Sequence, residues 1–319
     1  MSAAVEQIEK VIANIERVVV GKRKEVELSL IALFAGGHVL LEDVPGVGKT
    51  MMVKSIARSL GAEFKRIQFT PDLLPSDVTG VSIYNQKTQQ FEFRKGPIMA
   101  NIVLADEINR TSPKTQSALL ESLEEGSVTV DGDTYHLEKP FFVMATQNPI
   151  EYAGTFPLPE AQLDRFLLKL NLGYPSEIEE LEILNRLQRS HPIESLKAVM
   201  STEEVVALQA ELSTIVVTEE VKMYLIDLVH ETRNHKAIEL GVSPRGTIAL
   251  MKVSQAYALL QGRGYVIPDD VKYLAPYVLA HRLILTAESK MANFTAWELV
   301  LSIVESVKVP IKQSRLARS

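Results

Sequence analysis

The chain has 319 residues, 46% of them hydrophobic and 23% charged, a composition typical of globular proteins and a length that predicts about two domains. Its net charge of −6 gives the surface as a whole no electrostatic attraction for nucleic acid, which argues against a dedicated DNA-binding protein. The sequence contains no cysteine, so disulfides, thiolate metal sites and thiol catalysis are excluded.

The N-terminal segment, residues 4–34, predicts two amphipathic helices that are interrupted near Gly21. This segment lacks the long apolar core of a signal peptide, and no apolar run of the chain approaches the ~20 residues that a membrane helix needs. We therefore expect a cytoplasmic protein without a membrane segment.

Between residues 38 and 172, short apolar runs alternate with helical segments. The candidate strands are mostly continuous apolar runs, as buried parallel strands are, and lie at 38–42, 64–68, 101–105, 140–145 and 167–171. Helical segments separate them, notably 49–60, 113–124 and 160–164. This alternation predicts a three-layer α/β domain with a parallel sheet.

Two segments interrupt the alternation. Residues 81–93 and 127–138 each carry two β-like runs that flank a polar turn, at 85–88 and at 131–132 respectively. Both segments are predicted to be β-hairpins inserted into the α/β domain.

After residue 174 the strand pattern ends, and the rest of the sequence is helical and charged. Pro268-Asp269-Asp270, for example, is a helix-start signal with acidic residues in the first turn. We place the domain boundary near residue 174, with an α/β domain at 1–174 and an all-helical domain at 175–319.

The most informative segment follows the first candidate strand and has the sequence DVPGVGKT, from Asp43 to Thr50. A strand, a glycine-rich turn and a helix N-terminus in this order present backbone N–H groups and the helix dipole to an anion, and Lys49 adds a positive charge. Thr50 supplies the hydroxyl that is expected to ligate Mg²⁺. Asp43 stands where the standard pattern has glycine. The segment predicts a nucleoside triphosphate site formed by Pro45, Gly46, Val47, Gly48, Lys49, Thr50 and Met51.

The third candidate strand ends in two adjacent carboxylates, Asp106 and Glu107. Open α/β sheets bind their ligands at the carboxyl ends of the strands. We expect Asp106 to hold the water shell of Mg²⁺ opposite Thr50, and Glu107 to polarise the attacking water as general base. Together with the phosphate loop, this pair predicts hydrolysis as well as binding.

Three further polar residues stand where they could contact a phosphate. Asn148 follows the fourth candidate strand and could hold the γ-phosphate or orient the water, although alone it would favour an Asn-Pro turn. Arg165 precedes the last strand and is either a salt-bridge partner of Asp164 or an arginine finger that acts in a neighbouring subunit. Arg245, at a Ser-Pro helix start, could read the γ-phosphate from a lid domain.

The sequence resembles the MoxR group of AAA+ ATPases. The resemblance is carried by the strings VPGVGKT at 44–50, LADEINR at 104–110, ATQNP at 145–149 and LPEAQLDRF at 158–166. FTPDLLPSD at 69–77 and YVIPDDV at 265–271 extend it over nearly the whole chain. The resemblance implies an AAA+ domain followed by an all-α lid, it includes Asp43, and it matches the two hairpins to the helix-2 and pre-sensor-1 insertions of this clade.

The resemblance also implies roles for the candidate residues. Walker A would be formed by Lys49 and Thr50, Walker B by Asp106 and Glu107, sensor 1 by Asn148, the arginine finger by Arg165 and sensor 2 by Arg245. The segment around Val20 and Gly21 would line the adenine pocket. The implied reaction is hydrolysis of ATP to ADP with Mg²⁺, at the interfaces of a ring that is usually a hexamer in related proteins. Similar proteins are chaperone-like remodelling factors that act on a protein client, often with a partner that bears a von Willebrand factor A domain.

Other classes of motor share this architecture. A DNA-translocating motor of the minichromosome-maintenance type would use Lys87, Arg94 and Lys95 near the first hairpin as pore contacts, but the net charge of −6 makes nucleic acid an unfavoured partner. A magnesium-chelatase-type motor subunit would need a large tetrapyrrole-binding partner. A non-hydrolysing scaffold is disfavoured because both the carboxylate pair, Asp106 and Glu107, and Arg165 are present.

Overall fold

The computed structural model describes residues 3–44, 46–148, 155–189 and 192–310. They cluster into two compact units, which divide between Leu212 and Ser213.

The helices of the first unit are α1 (Ala3–Glu16), α2 (Arg23–Phe34), α3 (Lys49–Ser59), α4 (Pro75–Thr79), α5 (Pro113–Glu125), α6 (Glu160–Leu163), α7 (Glu177–Arg189) and α8 (Thr202–Glu211). Its strands are β1 (Val39–Glu42), β2 (Phe64–Gln68), β3 (Gly80–Asn85), β4 (Gln90–Lys95), β5 (Ile102–Asp106), β6 (Ser127–Val130), β7 (Asp133–His136), β8 (Phe142–Gln147) and β9 (Leu168–Leu170). The second unit contains α9 (Glu219–Asn234), β10 (Ile238–Leu240), α10 (Pro244–Leu260), α11 (Pro268–Leu279), β11 (Ile284–Leu285), α12 (Ala287–Met291) and α13 (Ala296–Ser306).

A five-stranded parallel sheet with the strand order β2-β5-β8-β1-β9 forms the centre of the first unit. Its middle strands are withdrawn from solvent, and every residue of 102–105 and of 142–145 is 0% exposed. Alternate side chains, among them those of Leu40 and Val143, pack against leucines of α5 on one face of the sheet. The predicted α/β fold is confirmed, and each strand of this sheet lies within two residues of its predicted range.

The strand register brings the carboxyl ends of neighbouring strands to one edge of the sheet. Gln68 of β2 pairs with Asp106 of β5, and Glu42 of β1 pairs with Gln147 of β8. The segments that follow β1, β5 and β8 therefore begin side by side, although these strands end at Glu42, Asp106 and Gln147 and are far apart in the sequence.

The helices α7 and α8 belong to the first unit, although the sequence changes to a helical pattern before them. Arg186 of α7 donates a hydrogen bond of 2.7 Å to the carbonyl oxygen of Glu16, and Gln209 of α8 donates one of 2.7 Å to that of Leu33. The predicted boundary near 174 thus falls at the change from α/β to helical structure, whereas the compact units divide after α8.

Antiparallel hairpins occupy both of the inserted segments. β3 pairs with β4 from Gly80↔Lys95 to Asn85↔Gln90, and β6 pairs with β7. The rings of Phe93 and Tyr135 stack with their centroids 4.0 Å apart and an interplanar angle of 19°. The two hairpins are therefore in direct contact.

The second unit is helical, with one exception that the sequence analysis missed. β10 and β11 form a short antiparallel pair, with Ile238 opposite Leu285. Strands of three and two residues are too short to produce a detectable alternation of apolar residues, so the sequence predicts only helices after residue 174. In the part of the chain that the structure describes, no helix is long and apolar enough to cross a membrane.

Candidate active site

The predicted phosphate loop connects β1 to the N-terminus of α3. Gly46 and Gly48 have φ angles of 88° and 92°, in the left-handed region that side chains disfavour. Gly48 is the residue before α3, so the first N–H groups of this helix, which have no partner within the helix, follow the loop directly. A glycine-rich turn that leads into the N-terminus of a helix is the geometry that an anion cradle requires. The predicted site residue Pro45 lies outside the described residues.

A cavity of about 360 Å³ opens at this edge of the sheet. It is lined by Asp43, Gly46, Gly48, Lys49, Thr50, Met51, Arg66, Gln68, Asp106, Glu107 and Asn148. The structure thus brings the phosphate loop, both predicted carboxylates and the predicted amide into one site.

Asp43 borders the larger cavity, but its side chain points to the backbone that follows β9. Its side chain is buried, and its carboxylate accepts hydrogen bonds from the backbone N–H groups of Leu172 and, at 3.3 Å, of Gly173, just after β9. Its carbonyl oxygen accepts a hydrogen bond of 3.0 Å from the ammonium group of Lys49. The aspartate therefore ties the phosphate loop to the neighbouring strand, which a glycine could not do.

Asp106 is held by two donors, one on each carboxylate oxygen. The hydroxyl of Thr146 lies 2.6 Å from Oδ1, and the guanidinium of Arg66 lies 2.6 Å from Oδ2. Each carboxylate oxygen offers about two lone-pair positions, and Oδ2 also accepts from Nε of Arg66 at 3.1 Å, so acceptor capacity remains on Oδ1. Thr146, two residues before Asn148, also accepts a hydrogen bond of 2.8 Å from the backbone N–H of Glu107.

Glu107 has a left-handed backbone, with φ 58°. This conformation is uncommon outside glycine and turns the chain sharply after β5. The carboxylate oxygen Oε2 accepts hydrogen bonds from Gln68 at 2.7 Å and from Arg110 at 3.0 Å. Glu107 therefore lines the cavity with a defined side-chain position.

Asn148 is buried at the end of β8, 7% exposed, and lines the same cavity. Its carbonyl oxygen accepts a hydrogen bond of 3.3 Å from the side chain of Asn109. The residue after it lies outside the described residues, so the alternative of an Asn-Pro turn is not tested.

The two predicted arginines lie elsewhere. The side chain of Arg165, 28% exposed, forms an ion pair with Glu124 of α5, with Nε 3.1 Å from Oε2. A salt bridge of Arg165 was foreseen, but with Asp164 as its partner. Arg245 is exposed near the N-terminus of α10 and belongs to the second unit.

A second cavity, of about 210 Å³, shares Gly46, Gly48 and Met51 with the first. Its walls are mostly apolar and include Val20 and Val47, both predicted from the sequence. The sequence analysis missed the opposite wall, which is formed by Leu172, Pro175, Ile183, Arg186, Leu187 and Pro192. The predicted site residue Gly21, next to Val20, is not among the residues that line this cavity. Its φ of 69° lies in the left-handed region, which favours glycine, and a Cβ there would displace the side chain of Glu179.

The donor set suits a hard divalent cation that is shared with a phosphate. Thr50 and Asp106 bring a hydroxyl and a carboxylate to the larger cavity. Within the described ranges, no group of three or more His, Cys, Asp or Glu side chains could hold a metal ion. Mg²⁺ is commonly bound in this way, by one or two protein oxygens together with substrate phosphates and water.

Two side chains of β2 were missed in the sequence analysis. Arg66 and Gln68 are separated by one residue and therefore point to the same face of the strand, into the larger cavity. Their alternation with Lys65 and Ile67 indicates that they share one face of a strand. Only the strand order places that face beside Asp106 and Glu107.

The parallel sheet, the glycine-rich loop after β1 and the carboxylate pair after β5 define a P-loop nucleotide-binding protein. Residues 38–168 match the family described as ATPase family associated with various cellular activities (AAA), and residues 230–299 match the AAA lid domain. The chain is 42% identical to Chaperone MoxR1 of Mycobacterium tuberculosis, over 97% of this chain and 84% of that protein. It belongs to the MoxR family of AAA+ ATPases.

Two further relatives cover almost the whole chain. The uncharacterized protein YeaC of Bacillus subtilis (strain 168) is 63% identical, over 96% of this chain and 95% of that protein. A crystal structure from Cytophaga hutchinsonii, described as a candidate ATPase, has a TM-score of 0.91 at 40% identity and covers 97% of this chain and 96% of that one.

Proposed function

We propose that the larger cavity binds ATP with Mg²⁺ and hydrolyses it to ADP and phosphate. The observation that carries this proposal is the convergence of Lys49, Thr50, Asp106, Glu107 and Asn148 on one cavity. The smaller apolar cavity beside it, with Val20 and Val47 in its wall, would take the adenine.

Each residue has a separate task in this proposal. Lys49 and the N–H groups of the loop hold the phosphates, while Thr50 and Asp106 hold the metal. Bound Mg²⁺ would neutralise charge that develops on the phosphates. Glu107 accepts the proton of the attacking water, and Asn148 orients that water or the γ-phosphate.

The reaction also requires residues from outside this cavity. We assign Arg165 to the nucleotide of a neighbouring subunit in a ring, which we expect to be a hexamer. The assignment is supported by the partial exposure of Arg165 and by its absence from the residues that line the cavity of its own chain. Arg245 would contact the γ-phosphate from the lid.

The biological role that we propose is chaperone-like remodelling or maturation of protein complexes in the cytoplasm. The name of Chaperone MoxR1, a relative over nearly the whole chain, supports this role. A partner with a von Willebrand factor A domain would deliver or receive the client. The exposed Tyr84 and Phe91 of the first hairpin, 50% and 74% accessible, provide an apolar contact surface for a polypeptide.

A DNA-translocating motor is the second candidate, because Lys87 and Arg94 are exposed on the same hairpin. Stimulation of hydrolysis by single-stranded DNA, with a steep dependence on salt, would favour this candidate over a protein client.

The test of the hydrolytic site uses three variants. Lys49→Ala should abolish nucleotide binding, whereas Glu107→Gln should bind ATP with nearly wild-type affinity and stop turnover. Glu121→Gln on the exposed face of α5 is the matched control and should leave both unchanged. Undiminished turnover in Glu107→Gln would rule out Glu107 as the base.

The ring is tested by complementation. Arg165→Ala should hydrolyse ATP slowly, and activity should return when it is mixed with Lys49→Ala, whose subunits can still donate Arg165. If mixing does not restore activity, Arg165 serves only its ion pair with Glu124.

The client is identified by affinity capture. Glu107→Gln is incubated with ATP, and the proteins that stay bound to it are identified.

A further inference from the structure

Arg66 has no task in the hydrolytic mechanism, yet it faces the cavity in contact with a proposed metal ligand. Its Nε and Nη2 atoms lie 3.1 Å and 2.6 Å from the same oxygen of Asp106, Oδ2. Nη2 also donates a hydrogen bond of 2.6 Å to the amide oxygen of Gln68. Three contacts therefore hold the guanidinium, two with Asp106 and one with Gln68.

The contact continues to the second carboxylate. Gln68 donates its amide N–H to Oε2 of Glu107 at 2.7 Å, while its amide oxygen accepts from Arg66. One chain of hydrogen bonds thus runs from Asp106 through two side chains of β2 to Glu107. A change at Asp106 that moves Arg66 would remove one of the two partners that hold the Gln68 amide.

The positive charge of Arg66 opposes the binding of a metal cation at Asp106. A divalent ion a few ångströms from the guanidinium would be repelled by its full positive charge, and the repulsion is strongest where water is partly excluded. The two partners differ in accessibility, since the side chain of Asp106 is 13% exposed and that of Arg66 is 47% exposed. Arg66 is therefore the partner that can turn toward solvent when the contact is broken, whereas Asp106 stays in the site.

We propose that Arg66 is a positioning residue that neutralises Asp106 as long as no divalent cation is bound there and must leave Oδ2 when one binds. This inference rests on the proposed function, because it takes Asp106 as a metal ligand. Arg66 thereby lowers the affinity for the free ion and, through Gln68, connects metal occupancy at Asp106 to the position of Glu107.

The test measures metal affinity rather than turnover. Mn²⁺ is titrated into the ADP-loaded protein, and the unbound ion is read by electron paramagnetic resonance. Arg66→Gln removes the competing charge and should lower the half-saturating Mn²⁺ concentration roughly three- to tenfold. A gain in affinity cannot arise from a damaged site, so it separates this role from a merely structural one.

The chain offers a matched control on the same strand. Lys65 carries the same charge, but it points to the opposite face of β2 and pairs with Glu63 at 3.3 Å. Lys65→Gln should leave the Mn²⁺ affinity unchanged. Arg66→Lys, which keeps the charge, should stay within about twofold of the wild type. An equal gain in Arg66→Lys and Arg66→Gln would overturn the proposal.

Two further measurements separate the possible failures. If Asp106→Asn binds Mn²⁺ as well as the wild type, Asp106 is not a ligand and the proposed metal site is wrong. If Asp106→Asn loses Mn²⁺ binding while Arg66→Gln and Lys65→Gln bind Mn²⁺ with the same affinity, only the role proposed for Arg66 is wrong. ADP affinity in a chelator should be the same in Arg66→Gln and the wild type, because a loss there would make Arg66 a phosphate ligand instead.

Discussion

The central sheet and the β3–β4 hairpin are both β-structure, but they differ in burial. Residues 102–105 of the sheet are 0% exposed, whereas Val81, Ile83, Tyr84 and Phe91 of the hairpin are 44–74% exposed. The sheet positions the proposed catalytic groups at its edge, and close packing keeps them in place. The hairpin leaves apolar side chains in solvent. The proposed hydrolytic site and the proposed contact surface thus lie in regions of opposite burial.

Removing a side chain from the middle of the sheet should have the largest effect. Leu104→Ala creates a cavity two residues before Asp106, and we expect it to lower the free energy of unfolding by roughly 2–5 kcal/mol. Urea unfolding followed by circular dichroism measures this loss. Leu74→Ala, at a position that is 59% exposed, is the control and should change stability much less. Equal losses in both variants would contradict the assignment of Leu104 to the core.

His38 should make the sheet sensitive to acid. Its Nδ1 accepts from the N–H of Val143 at 3.1 Å, its Nε2 donates to the carbonyl oxygen of Leu123 at 3.1 Å, and burial lowers its pKa to about 4. In the unfolded chain the pKa of His38 is about 6.5, so that state binds the proton more readily. The contribution of His38 to stability is therefore complete above that pH and is lost as pH falls toward 4. Between pH 7.5 and 5, His38 should account for a loss of about 2 kcal/mol.

The measurement compares urea unfolding at these two pH values in wild type and His38→Gln. The variant should be less stable at pH 7.5 but should lose less stability on acidification. His136→Gln, at an exposed position of β7, controls for the loss of a histidine. It should lose as much stability between pH 7.5 and 5 as the wild type does. An unchanged pH dependence in His38→Gln would show that the ring does not titrate with folding.

What could be predicted from the sequence depends on how far apart the contacting residues are along the chain. The phosphate loop, Asp106 and Glu107 were predicted because a strand and the turn after it are encoded by neighbouring residues. Arg66 was missed because its contact with Asp106 depends on the order of strands that are far apart in the sequence. Glu124, the partner of Arg165, was missed for the same reason. The orientation of Asp43 likewise depends on backbone groups after β9.

Removing the contact between the two hairpins should have a smaller effect on stability. Phe93 and Tyr135 are stacked with centroids 4.0 Å apart, and such pairs contribute about 0.5–1.5 kcal/mol beyond the area they bury. A double-mutant cycle of Phe93→Ala and Tyr135→Ala should give a coupling energy in this range. Hydrogen exchange of the β3–β4 amides is the suitable measurement, because a hairpin can open without unfolding the sheet. Additive effects of the two changes would mean that the hairpins open independently.

The smallest effect on stability is expected at the exposed end of the hairpin. Phe91 is 74% exposed and touches Tyr84 edge-on, with ring centroids 5.4 Å apart, so Phe91→Ala should change the free energy of unfolding by no more than about 0.5 kcal/mol. If this surface holds the client, the same change should reduce the protein that is retained by the Glu107→Gln variant in ATP. Ile83→Ala, on the opposite face of the hairpin, tests whether one face is responsible. If both variants retain the client fully, the client contact lies outside this hairpin. A large loss of stability in Phe91→Ala would show that Phe91 is packed in a core, as the sheet residues are.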